Sequence, residues 1–102
     1  MGYKRFRIRQ RNENEAKPLM ATALQYNSEN DSAPRVVATG QRKVAEQIIA
    51  EAKKNNIAIY EDTALTNALS TVNLGEEIPP ELYQVVAQVL AYVYRVTNKV
   101  QK

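Results

Sequence analysis

The chain contains no cysteine and no histidine in 102 residues. That excludes a disulfide framework, a zinc ribbon, a Cys- or His-based nucleophile and a His-held haem. It fits a reducing compartment. Three glycines leave no material for a phosphate-cradling loop. No apolar run approaches the roughly 18 residues that suggest a membrane span, and the start of the chain is polar and basic, unlike a signal peptide. The length accommodates one domain with a small core.

What is present is charge, unevenly placed. The net charge is +3, but Lys4, Arg5, Arg7, Arg9 and Arg11 all precede the first acid, Glu13. Of the 14 Lys and Arg, nine remain to face 11 Asp and Glu in the rest of the chain, which is mildly acidic. Residues 1–17 read as a basic, disordered tail, because a charge-rich segment offers little core-forming surface. The partial alternation of Tyr3, Phe6 and Ile8 with charges leaves a short edge strand as the alternative. A domain over 18–102 follows, entered at Pro18.

Leu19–Tyr26 has the pattern of a strand and ends in the polar turn Asn27–Ser32. Arg35–Thr39 is β-branched and stops at Gly40; these two strands can pair antiparallel. Gln41–Asn55 is a helix by the spacing of Val44, Ile48, Ile49 and Ala52, with Lys53 and Lys54 suited to its C-terminal turn. Ile57–Tyr60 is a buried-type strand. Strand, helix, strand of this length predicts a βαβ unit with parallel strands. Asp62 is placed to cap a short helix carrying Leu65, Ala68 and Leu69. Pro79-Pro80 opens a last helix with an apolar stripe of Leu82, Val85, Val86, Val89, Leu90 and Val93. Tyr83, Ala87, Ala91 and Tyr94 make its other faces apolar, so it is buried on more than one side or serves a partner. The expected fold is α/β, a small mixed sheet of about three to four strands flanked by helices in one compact domain.

Chemistry is sparse. Glu61-Asp62 and Glu76-Glu77 flank elements and read as caps and solvated turn charges. Asn27, Glu29, Asn30 and Asp31 share only composition with a calcium loop. No metal, cofactor, small-molecule substrate or enzymatic activity is expected. Tyr83, Tyr92 and Tyr94 either fill core or form a contact patch.

The order of motifs is more specific. Ala33-Pro34-Arg35-Val36-Val37-Ala38-Thr39-Gly40, Ile59-Tyr60-Glu61-Asp62, Ala68-Leu69, Gly75-Glu76-Glu77-Ile78-Pro79 and the run from Glu81 to Tyr94 together resemble the C-terminal cytoplasmic domain of the FlhB/YscU type III secretion export-switch family. The resemblance covers about residues 20 to 96. It implies a non-enzymatic component of the flagellar or type III export apparatus, cytoplasmic or peripheral at the inner face of the membrane. The implied partners are export-gate proteins, export substrates and the membrane half of full-length FlhB. It also implies a substrate-docking recess, which maps here onto Ala33, Pro34, Ala87 and Leu90; the alternative is that all four pack in the core.

Two departures stand out. The family's membrane half is absent, and a basic segment stands in its place. Counted back without a gap, the family's self-cleavage motif, Asn-Pro-Thr-His, falls on Ala16, Lys17, Pro18 and Leu19; with a one-residue gap, Pro18 lies under the family proline and Lys17 where the asparagine would be. The asparagine, whose side-chain amide attacks its own carbonyl carbon, is missing. So is the histidine. The chain therefore resembles stand-alone, non-cleaving FlhB-like proteins that are similar to the fragment left after cleavage, able to replace that fragment or acting as accessories. A second function class is a nucleic-acid or anionic-surface binder acting through the basic tail. It is opposed by the acidic balance of the domain, and a nucleic acid is not an expected partner.

Overall fold

A computed structural model describes residues 3–10 and 19–100, with the side chains of 4–10 and 19–96. The elements run β1 (Tyr3–Arg9), β2 (Met20–Asn27), β3 (Arg35–Gln41), α1 (Lys43–Lys54), β4 (Ala58–Glu61), α2 (Thr63–Leu69), a 3₁₀ turn (Pro80–Leu82) and α3 (Tyr83–Val100). The four strands form one mixed sheet in the order β3-β2-β1-β4. α1 covers one face, and α2 and α3 cover the other. The α/β expectation holds.

The disordered-tail expectation does not hold for residues 3–9. They form β1, an interior strand, antiparallel to β2 from Tyr3↔Asn27 to Arg9↔Ala21 and parallel to β4 from Phe6↔Ala58 to Arg9↔Glu61. Phe6 and Ile8 are both 0% exposed. Two apolar residues at period two are enough when the strand is paired on both sides and capped by helices. Burying such side chains contributes about 1.5–3 kcal/mol each. Arg5, Arg7 and Arg9 alternate to the α1 face. Arg7 is only 6% exposed, and its Nη1 donates to the carbonyls of Phe6 at 3.1 Å and Leu24 at 3.4 Å. The domain thus begins well before Pro18.

β3, α1 and β4 form a split βαβ unit rather than an adjacent one. β3 is antiparallel to β2, β2 to β1, and β1 is parallel to β4. The outer strands therefore run the same way, with two strands between them. Local periodicity fixes the direction of such a crossover but not what inserts beneath it.

Local chemistry shapes both ends of this unit. The register with β2 slips between Ala23↔Ala38 and Leu24↔Val36, leaving Val37 as a bulge residue. The slip turns Val36 toward the α2/α3 face and Ala38 toward α1. At Gly40 a Cβ atom would lie 2.3 Å from Val44 Cγ1, so only glycine allows α1 to start so close to β3. Beyond Lys54, α1 is closed by Asn55 and by Asn56, which takes φ 57°. There the Ile57 N–H reaches back to the Ala52 carbonyl at 2.8 Å, closing the helix as expected from Asn55-Asn56. Asp62 caps α2 as read from the sequence, its Oδ1 accepting from the Leu65 N–H at 3.0 Å.

α3 buries one stripe, Val86, Val89 and Val93. Ala87 and Ala91 on its outer side are exposed, as are Tyr83 at 43% and Tyr94 at 37%. Burial on more than one side is thereby corrected. Tyr92 does fill space, meeting the Tyr60 ring edge-on at 5.4 Å between centroids. No helix of the described residues is long and apolar enough to cross a membrane.

Candidate docking recess

Arg35 organises the end of the sheet where β2 turns into β3. The Asn27–Asp31 turn is closed by Asp31 N–H to Asn27 carbonyl at 2.7 Å. Asn27 Oδ1 accepts from the Glu29 N–H at 3.0 Å, and Asp31 Oδ2 accepts from the Asn27 N–H at 3.1 Å. The side-chain oxygens of Asn27 and Asp31 are thus engaged in building a turn. Arg35 Nε donates to Asp31 Oδ1 at 3.1 Å, and its Nη1 donates to the Gly75 carbonyl at 2.8 Å. Its Nη2 lies 3.5 Å from Glu77 Oε2, which also accepts from the Ser32 N–H at 3.1 Å. One guanidinium therefore joins the turn, β3 and the loop before α3. The Asn27 N–H first, and then the Arg35 guanidinium, hold the Asp31 carboxyl below its ordinary value against the opposing effect of burial.

The same loop is laid along β3 by backbone bonds. Gly75 N–H donates to Val36 carbonyl at 2.7 Å, Val36 N–H to Glu76 carbonyl at 3.0 Å, and Ile78 N–H to Pro34 carbonyl at 2.8 Å. Gly75 takes φ 85°, a conformation that suits glycine. Ile78 is thereby set beside Pro34 under the first turns of α3.

Between these pieces lies a recess of about 210 Å³. Ala33, Pro34, Ile78 and Val86 are buried and form its floor; Tyr26, Ser32, Tyr83, Ala87 and Leu90 form its rim. All four residues singled out from the sequence line it. Ala87 is exposed and Leu90 half-buried, whereas Ala33 and Pro34 are buried. Tyr83 precedes Ala87 by one helical turn and was open to the same reading. Tyr26, Ser32 and Ile78 arrive from other elements and carry no local signal. The volume falls below the roughly 300–1,000 Å³ of drug-sized sites, and the lining is mostly apolar. It suits one or two apolar side chains of a partner.

The remaining sequence candidates lie elsewhere. Ala16, Lys17 and Pro18 fall outside the described residues. Leu19 packs beside the cluster under α1, and its carbonyl accepts from the Arg42 N–H at 2.8 Å. Among the described residues, Lys4, Arg5, Arg7 and Arg9 belong to a strand rather than to a free arm, which removes the premise of the tail-borne nucleic-acid reading.

Comparison with known proteins agrees with this architecture. A sequence model of the FlhB HrpN YscU SpaS Family matches residues 19–93. An uncharacterized protein of Bacillus subtilis, YlqH, is 40% identical over 79% of this chain and 87% of its own length. The flagellar biosynthetic protein FlhB of Borreliella burgdorferi is 39% identical over 78% of this chain, but the chain spans only 22% of that protein. The crystal structure of the cytoplasmic domain of FlhB from Shewanella putrefaciens superposes with a TM-score of 0.78 at 35% identity, over 92% of this chain and 70% of that one. A mutated EscU C-terminal domain superposes with a TM-score of 0.73 at 25% identity, over 84% of this chain and 83% of that one. With a family match across three of the four strands, α1, α2 and the first part of α3, and the same fold in solved cytoplasmic domains, the chain belongs to the FlhB HrpN YscU SpaS family.

Proposed function

We propose that the chain is a type III or flagellar export component that receives a short hydrophobic segment of export substrates in the recess and does not cleave itself. The observation that carries this reading is the convergence of Ala33, Pro34, Ala87 and Leu90, from two distant parts of the chain, on one apolar recess. The recess is open at Ala87 and firmly backed by Ile78 and Val86, which is the shape a docking site requires. Export-gate proteins are the partners that follow, and the domain would act at the cytoplasmic face of the gate. A role in switching between early and late substrates rests on the same site.

Absence of cleavage follows from chemistry. Lys17 precedes Pro18 where the family has asparagine, and a lysine side chain has no amide to form a succinimide. Incubated for days near neutral pH, the purified protein is expected to give one intact mass. A specific break between Lys17 and Pro18 would defeat this part of the proposal.

Docking is tested by Ala87→Asp. Because Ala87 is exposed, the charge remains solvated and the melting temperature should move by no more than about 2–4 °C, a surface-type effect of half a kcal/mol or less. Binding of an early rod- or hook-type substrate, measured by calorimetry, should fall by about tenfold or more, as expected when a charge enters an apolar contact. Ala33→Asp is the contrasting variant. Ala33 is buried, so an unpaired charge there should cost several kcal/mol and unfold the domain. A folded Ala87→Asp protein with undiminished substrate binding would reject the recess.

A further inference from the structure

The two edges of the sheet are finished differently. At β3, the loop carrying Gly75–Ile78 lies along the outer side and forms a bridge at Arg35↔Glu77. At β4, among the described residues, no strand lies beyond. The direction of the free groups can be read from the ladder. Asp62 N–H donates to the Arg9 carbonyl at 2.9 Å, so Ala58 and Tyr60, in phase with Asp62, turn their backbone groups toward β1. Ile59 and Glu61 therefore aim their N–H and C=O outward.

Beyond that edge lies a hollow of about 530 Å³ lined by Arg9, Lys53, Ile59, Tyr60, Glu61 and Tyr92. Its lining includes Ile59 and Lys53 from the α1 side and Tyr60 and Tyr92 from the α3 side. The empty space thus sits in the plane of the sheet, where a fifth strand would run. A second, separate hollow of about 270 Å³ lies at the start of β4, lined by Lys4, Arg5, Ile57 and Ala58 among others. Lys4, Arg5, Arg9 and Lys53 in these linings face one acid, Glu61, which Arg9 approaches at 3.9 Å.

We propose that β4 is an acceptor edge for an extended acidic peptide, which adds as a fifth strand and sets its carboxylates against Lys53, Arg9, Lys4 and Arg5. Backbone pairing supplies the register and the cations supply the choice of sequence. A nucleic acid could meet the same cations but has no groups spaced to pair with a strand edge, so the outward backbone of Ile59 and Glu61 favours a peptide. This site shares no lining residue with the recess, and its test is independent of substrate docking there.

The probe is a short fluorescein-labelled peptide of alternating valine and glutamate, titrated into the full chain by anisotropy. Saturable binding is expected, with the lysine-for-glutamate peptide weaker by about tenfold or more and Lys53→Glu weakening the acidic peptide comparably, as charge complementarity requires. A fully N-methylated version of the peptide should not bind, and Ile59→Pro, which removes an outward donor, should abolish binding. If Ile59→Pro fails to fold, the N-methylated peptide makes the same test on the unaltered protein. Hydrogen exchange should slow at the Ile59 and Glu61 amides when the acidic peptide is added. No saturable binding at millimolar peptide, equal binding of the N-methylated or lysine peptides, or protection appearing elsewhere would overturn the proposal. So would steeply salt-dependent binding of a single-stranded RNA oligonucleotide to these cations with no binding of the peptide.

Discussion

The two faces of the sheet are packed by different means. Against α2 and α3 the sheet presents Phe6, Ile8, Leu24 and Val36, and the helices answer with Leu65, Leu69, Val86, Val89 and Val93. Against α1 it presents Ala21 and Ala23, met by Ala45, Ile48 and Ile49, with the buried Arg7 on the same side. Large side chains make a deep layer with an irregular margin, and the recess opens at that margin. Alanines allow a helix to lie close and flat, leaving stability on that side to close approach rather than to buried volume. The recess therefore sits on the deep face, and the shallow face holds the crossover in place.

Truncation of the deep face should do the most damage. Phe6→Ala removes a fully buried aromatic from an interior strand and should cost about 3–5 kcal/mol, read as a lower urea midpoint with an unchanged slope. A loss below about 1 kcal/mol would show that β1 contributes little packing to that face.

The shallow face should instead be sensitive to added volume. Gly40→Ala puts a methyl group into Val44, which lies 2.3 Å from the ideal Cβ position, and should cost about 1–3 kcal/mol by overpacking. Val44 is 47% exposed, so Val44→Ala should be near neutral alone; it removes the Cγ1 overlap but keeps a Cβ 2.6 Å from the added methyl, so it should relieve Gly40→Ala only in part in a double-mutant cycle. Additive losses would refute close approach as the means by which α1 is held.

The smallest effect concerns the margin where the recess lies. The Asp31 carboxyl is lowered from 3.8 chiefly by the Asn27 N–H and then by Arg35. A depressed carboxyl stabilises the fold above its unfolded value and loses that contribution as pH falls through its folded value. The stability difference between the native protein and Asp31→Asn should therefore be constant above about pH 4 and shrink in more acid solution. A difference that persists unchanged to lower pH would mean that the turn needs the side chain's shape and not its charge.

The parts of this architecture that were legible in the sequence are those governed by neighbours along the chain. α1, the Asp62 cap and the stripe on α3 follow from helical spacing and from one side chain reaching a nearby N–H. β1 was obscured because its cations outnumber Phe6 and Ile8, and composition hides a period of two. The sheet order was beyond reach because the βαβ signal does not state what inserts beneath the crossover. The four recess residues came from family resemblance. Arg35 went unread because its bonds join Asp31, Gly75 and Glu77, which only the folded chain brings together.

The interior position of β1 has a consequence for how the molecule comes into being. A ribosome delivers β1 before β4 and α3. The hairpin of β1 and β2 can close early, but the parallel partner β4 and the helix that covers Phe6 and Ile8 arrive only after most of the chain has been made. Non-local pairing of this kind slows folding, and the uncovered strand is an aggregation hazard until it ends. The recess, whose rim includes Tyr83, Ala87 and Leu90, has no existence before α3 docks. A chain interrupted short of that helix exposes a sticky sheet and has no recess, so the arrival of α3 covers the core and creates the recess in a single event.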